Sequence, residues 1–321
     1  MPPLDWNDAA GMKAALSAVS AMTLQQLGPA ESSLIEEEKQ IPMRDGHQST
    51  IKTHKPAKGE PGPLIVLIFG GGWISGDYHA MTPNARAFVR LFGATVVNIS
   101  YRLAPEHKFP VSQNDAWDSV KWIGTHAKEI GADPSKGFIV GGISAGGTNT
   151  AVSTLLSIEE KLEPPITGQW LCVPAIMNEE HVPEKYKKYF LSREHNKDAP
   201  ILDQAALDAL EKHTSWDPKS PLRFPILSKV DPSKLPPTFI QADGLDPIRD
   251  DALIYDEILK EAGVKTRTNF YPGAPHAHFA FTPGLDISNQ ALADITTGMG
   301  WLLGKEVSPE EGLKSFAPAS S

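Results

Sequence analysis

Ser144 stands in the run Gly141-Gly142-Ile143-Ser144-Ala145-Gly146-Gly147, a G-x-S-x-G pattern. A serine hydroxyl is a weak nucleophile at neutral pH, so covalent chemistry there needs a base to take its proton and an acid to orient the base. Both kinds of group follow downstream. Asp246 opens Asp246-Pro247-Ile248-Arg249-Asp250, and His276 lies in Tyr271-Pro272-Gly273-Ala274-Pro275-His276-Ala277-His278-Phe279. Serine, acid, histidine is the chain order known for a nucleophile held on a strand-to-helix turn. Asp243 and Asp250 share the stretch with Asp246, and His278 competes with His276. Any of these carboxylates could instead cap a helix. The H-x-H pair could ligate a metal, but no third ligand clusters nearby, so no metal and no cofactor are expected.

Upstream, Phe69-Gly70-Gly71-Gly72-Trp73 could turn backbone N–H groups toward an oxyanion, together with the N–H of Ala145. A phosphate loop is the rival, and neither of its glycine patterns is present. The G-x-S-x-G triplet alone is modest, since chance supplies one about one time in ten in a chain this long. A glycine-rich turn that only packs helix on strand would look similar. What raises it is context, an apolar strand before and a small-residue helix after.

The elements that must position these residues follow from periodicity. Short apolar runs at 64–69, 94–99, 138–142, 168–173, 238–242 and 266–270 alternate with helical stretches at 115–126, 147–156 and 248–262. That alternation argues an α/β fold with a mostly parallel sheet covered on both faces. Ahead of it, 8–27 carries Met12, Leu16, Val19 and Met22 at helical spacing and stops at Gly28-Pro29, and 41–55 reads as a hairpin about Asp45-Gly46. Residues 176–237 break the rhythm with charge, proline and aromatics around a helical run at 203–213. They read as an insertion over one end of the sheet, where such folds recognise ligands. The tail 317–321 is small-residue and mobile in composition.

Over 321 residues, 40% hydrophobic and 21% charged, the chain has ordinary globular composition and a net charge of −9. That charge repels phosphate backbones and anionic lipid, so neither nucleic acid nor membrane is an expected partner, and Lys185 to Phe190 read as a solvated face. Cys172 is the single cysteine and sits among apolar neighbours, a buried structural thiol. No apolar run approaches the roughly 20 residues of a membrane helix, and no secretory leader pattern opens the chain. A cytoplasmic location follows as the expectation.

Tyr101-Arg102-Leu103-Ala104-Pro105-Glu106-His107, Asp133-Pro134, the GISAGG around Ser144, the DPIRD after Asp246 and the YPGAPH ending in His276 together resemble the hormone-sensitive-lipase-type α/β-hydrolases, a group of capped carboxylesterases. The resemblance runs from about Leu64 to Phe279. It implies Ser144 as nucleophile, His276 as base, Asp246 as orienting acid, and Gly71, Gly72 and Ala145 as oxyanion donors. It also implies an N-terminal cap helix and lead-in at 1–40, a hydrolase core at 41–175 and 238–321, and a cap insertion at 176–237. Phe69 and Trp73 are expected against the substrate. Two positions depart from the group's pattern: Phe69 stands where it has histidine, and Ile143 where many members are acidic. Phe cannot make histidine's hydrogen bond, so the glycine loop is expected looser or differently shaped. The expected activity is hydrolysis of a short-acyl, acetyl-type ester of a bulky alcohol in secondary metabolism, with a small-molecule ester as the partner and a homodimer allowed. The rival keeps the fold but binds, cyclises or dehydrates its ligand.

Overall fold

A computed structural model describes residues 4–317, so most of the small-residue tail, 318–321, lies outside the described residues. Eight strands form one sheet: β1 (Leu34–Pro42), β2 (Gln48–Pro56), β3 (Leu64–Ile68), β4 (Thr95–Ile99), β5 (Phe138–Ile143), β6 (Gly168–Cys172), β7 (Thr238–Leu245) and β8 (Thr266–Pro275). Their spatial order is β1-β2-β4-β3-β5-β6-β7-β8. The β1–β2 and β2–β4 pairs are antiparallel and all others parallel. The α-helices among the described residues are α1 (Ala9–Leu27), α2 (Thr82–Phe92), α3 (Val111–Thr125), α4 (Ala145–Glu159), α5 (Ser192–His195), α6 (Gln204–Thr214), α7 (Arg249–Glu261), α8 (His278–Phe281), α9 (Asp286–Leu302) and α10 (Pro309–Lys314), with short 3-10 turns between several of them.

The central strands are apolar because both sheet faces are covered. Every residue of β3 and β4 is buried. Fully burying one Leu, Ile or Val side chain contributes roughly 1.5–3 kcal/mol, so these two five-residue strands anchor the sheet on which the loops are mounted. At the antiparallel end the hairpin is longer than expected. Its first strand begins at Leu34 and pairs with β2 throughout, so the lead-in drawn through residue 40 already includes most of β1. The run Glu36, Glu37, Glu38 hid that strand in the sequence. Glu36 is held there by Arg86 on α2 at 2.6 Å and by Lys52 at 3.0 Å.

The N-terminal helix forms where its spacing predicts, with the Asp8 side chain accepting from Gly11 N–H at 2.9 Å. Gly28 ends it at φ 69°, a left-handed backbone that glycine adopts freely. The expected stripe is only partly right. Met12, Ser20 and Leu27 are buried, whereas Met22 is 60% exposed. At about 100° per residue Met22 rotates about 80° from Met12, on the side away from Ser20 and Leu27. The insertion between β6 and β7 is built of short turns with α5 and α6 as its helices. It is tied to the core at the first turn of α7, where Asp250 accepts from Leu191 and Ser192 N–H, both at 2.7 Å. Beside it Asp251 accepts from Ile176 and Met177 N–H at 2.9 and 3.1 Å.

Candidate active site

Ser144 sits between β5 and α4 with φ 55° and ψ −120°, a conformation that non-glycine residues hold only when their surroundings enforce it. The enforcement is steric. A Cβ at Gly146 would lie 2.1 Å from the Ile68 carbonyl oxygen, and one at Gly142 would lie 2.3 Å from the Gly146 carbonyl oxygen. The turn therefore closes only with glycine at both flanks, and the Ser144 N–H is fixed by the Cys172 carbonyl at 2.8 Å. Cys172 itself is buried, and burial pushes its thiol pKa up. It supports the turn through its backbone.

Three side chains from three loops meet at this point. Ser144 Oγ lies 2.8 Å from His276 Nε2, and His276 Nδ1 lies 2.6 Å from Asp246 Oδ2. The other Asp246 oxygen accepts from Ile248 N–H at 2.9 Å. Asp246 is fully buried and His276 is nearly so. Burial alone would lower the histidine's pKa, but the charge and hydrogen bond of Asp246, with Asp243 farther off, raise it above its ordinary value.

The competing residues find other partners. His278 Nδ1 pairs with Asp243 Oδ1 at 3.1 Å, and its Nε2 meets the Ile287 carbonyl at 3.3 Å. The two rings of the H-x-H pair thus turn to different carboxylates. Among the described residues no three His, Cys, Asp or Glu side chains group as metal ligands. Asp250 holds the insertion, as described above.

Gly71 and Gly72 lie at φ 127° and 61°, and neither donates its N–H to a protein acceptor among the described residues. Ala145 is the first residue of α4, where the helix supplies its N–H no partner. The loop is firmly held rather than loose. Ser75 Oγ donates to the Gly71 carbonyl at 2.9 Å, and Trp73 Nε1 donates to Asn149 Oδ1 at 3.1 Å. Trp73 lines the cavity over Ser144. Phe69 is a correction: its ring is buried behind the loop and does not line that cavity.

The cavity measures about 20 Å³, and Ser144, Ala145, Gly72 and His276 form its floor. Leu202, Leu207, Leu210 and Trp216 of the insertion cover it, with Trp6 from ahead of α1. Such a volume holds about one water-sized group, so the roof must shift to admit an ester. None of these covering residues, nor Asn149 and Ser75, carries a sequence motif. Asn196 was equally invisible: its side-chain amide donates to the Gly244 and Asp246 carbonyls at 3.1 and 2.9 Å and steadies the acid loop from the insertion.

A family profile described as alpha/beta hydrolase fold matches residues 65–280. The chain belongs to the hormone-sensitive-lipase-type α/β-hydrolases. This α/β-hydrolase is 34% identical to a versiconal hemiacetal acetate esterase of Dothistroma septosporum over 77% of its own length and 76% of the relative's. It is 36% identical to a carboxylesterase of Mycobacterium tuberculosis, over 68% and 67% of the two chains. Among solved structures, a vibralactone cyclase superposes with a TM-score of 0.87 at 29% identity, covering 95% of this chain and 90% of that one. The α/β-hydrolase is a carboxylic ester hydrolase. Among its described residues no helix is long and apolar enough to cross a membrane.

Proposed function

We propose that the protein is a serine esterase acting through an acyl-enzyme on short-acyl, acetyl-type esters of bulky alcohols, as in secondary metabolism. The observation that carries this reading is the unbroken chain Ser144 Oγ, His276, Asp246, with contacts of 2.8 and 2.6 Å. Ser144 attacks the ester carbonyl as His276 Nε2 takes its proton, and Asp246 holds the imidazole by Nδ1 and stabilises the imidazolium. The tetrahedral oxyanion lies against the N–H groups of Gly71, Gly72 and Ala145. His276 then returns the proton to the leaving alcohol, and water, activated by the same imidazole, releases the acid. The narrow floor around Ser144 and the likeness to an acetate esterase support a short acyl group. Turnover of p-nitrophenyl acetate with labelling by a fluorophosphonate, both lost in Ser144→Ala, is the test. A wild-type protein that does neither overturns the reading.

The likeness to a vibralactone cyclase favours a second reading. A hydroxyl of the substrate itself would attack the acyl-enzyme in place of water. Product mass separates the two, because hydrolysis adds one water and cyclisation does not.

A further inference from the structure

The roof over Ser144 contains a cation that the reaction does not use. Arg223 is only 4% exposed, and its Nε and Nη1 have no hydrogen-bond partner among the described residues. It lines the cavity shared by Ser144 and His276. Its guanidinium is wedged among rings, 4.0 Å from the centre of Trp216, 4.3 Å from Phe224 and 4.7 Å from Trp73. Those faces steady the cation but do not satisfy its in-plane N–H donors.

No carboxylate among the described residues pairs with it. Asp251, whose charge reaches it, is occupied by Arg193 at 3.0 Å and by the Ile176 and Met177 N–H groups. Glu211, whose charge also reaches it, is exposed on α6. Burial, with the charge of Arg193, presses the guanidinium's pKa down from its ordinary value to about 9, which leaves it cationic at neutral pH. A buried cation with idle donors is costly unless something arrives to meet it. A purely structural stack would be served as well by an apolar side chain.

We propose that Arg223 is a specificity determinant that receives a carboxylate carried by the ester substrate, pairing it through the guanidinium fork. This rests on the esterase reading and narrows its substrate class to esters of, or with, an acid-bearing fragment. The planar fork matches a carboxylate in two parallel hydrogen bonds. Because the closed cavity is only about 20 Å³, the acid enters as the roof shifts, and the rings of Trp73, Trp216 and Phe224 keep the fork in place.

The test compares matched pairs. On the alcohol side they are 4-acetoxybenzoate and 4-acetoxybenzamide, and on the acyl side mono-p-nitrophenyl glutarate and p-nitrophenyl pentanoate. In at least one pair the wild-type protein should favour the acid by tenfold or more in kcat/KM, since a charge-assisted hydrogen bond is lost with the neutral partner. Arg223→Met should erase that ratio, and Arg223→Lys, which keeps the charge without the fork, should keep part of it. Calorimetry on Ser144→Ala with the same ligands reads recognition without turnover. If the wild type neither hydrolyses any of the four esters or p-nitrophenyl acetate nor is labelled by a fluorophosphonate, the esterase reading fails, and calorimetry alone then decides the role of Arg223. Equal treatment of acid and neutral ligands, or a preference that survives Arg223→Met, overturns the proposal. Should Arg223→Met fail to fold, equal affinities of Ser144→Ala for acid and neutral ligands in both pairs would still overturn it.

Discussion

Phe69 lies flat on Tyr101, ring centres 4.1 Å apart and planes within 8°, and the Tyr101 hydroxyl donates at 2.9 Å to the carbonyl of Phe69 itself. A ring that cannot hydrogen-bond is thus joined to a neighbour that supplies the bond to the same residue's backbone. The glycine loop that follows is fixed from behind by Tyr101 and from within by Ser75. Phe69→His should therefore shift kcat/KM for a simple ester by about tenfold or less, well below the hundredfold or more that follows loss of an oxyanion donor. Tyr101→Phe should cost more than Phe69→His. It leaves a buried carbonyl unpaired, a penalty of about 1–3 kcal/mol in denaturant unfolding. A histidine variant that hydrolyses simple esters strongly, beside an inert wild type, would show that Phe69 holds hydrolysis off.

His276→Ala and His278→Ala separate chemistry from stability. Replacing His276 removes the group 2.8 Å from Ser144 Oγ, so turnover per folded molecule should fall by several orders of magnitude, beside whatever stability the buried Asp246 loses with its partner. Replacing His278 strands the Asp243 carboxyl in the interior, where burial already raises its pKa. Its cost should appear as about 1–3 kcal/mol or more of stability, with turnover per folded molecule much less affected. Activity and urea unfolding on both variants check this, and the reverse order would exchange the assigned roles.

The pH profile follows from the same contacts. His276 accepts a proton only while neutral, and its pKa is raised from the ordinary value of about 6.5 chiefly by Asp246, against the lowering effect of burial. As pH falls through the raised pKa the base protonates, so kcat/KM should decline on the acid side with a midpoint above that of an isolated histidine. Asp246→Asn removes the raising charge. The midpoint of the remaining activity should move to lower pH while the rate drops on the order of 10⁴-fold. A midpoint unmoved by that substitution would separate the titrating group from the Asp246 pair.

These contacts show why parts of the site were legible in the sequence and others were not. Ser144, Asp246 and His276 each follow a strand, and the local steric demand of the turn at Gly142 and Gly146 writes itself as a motif. Most of strand β1 did not show, because three successive glutamates mask it at the sheet's antiparallel edge. Nor did α2 and α9, which the alternation of strands only implied. The roof was legible only as an interruption of rhythm. Leu202, Leu210, Trp216 and Arg223 come together by tertiary packing between distant turns, and no spacing along the chain records it. The exposed Met22 is the same lesson on one helix: apolar type alone did not say which side α1 would bury.

Trp6 divides two spaces, and its removal should change what the enzyme accepts. The indole lines the small cavity over Ser144 and also an outer one of about 460 Å³ bounded by Leu4, Asp5, Pro200, Ile201 and Ala206. Its Nε1 donates to the Ile201 carbonyl at 2.9 Å, and His213 on α6 meets the Trp6 and Asn7 carbonyls at 3.2 and 3.1 Å. The segment ahead of α1 and the insertion therefore close as one roof. Trp6→Ala should open the inner cavity to the outer one while the sheet stays folded. Each further methylene that a longer acyl chain then buries contributes about 0.8 kcal/mol, close to fourfold in binding. Across p-nitrophenyl acetate, butyrate, hexanoate and octanoate, the preference should move toward the longer chains, by about tenfold or more between acetate and hexanoate. Trp6→Phe keeps most of the ring and loses only the hydrogen bond, so its profile should stay near the wild type's. Deleting residues 6–27 should carry the same widening further and weaken binding of every chain length. A folded Trp6→Ala variant with an unchanged acyl-length profile would show that the wall between the two cavities is built by the insertion alone.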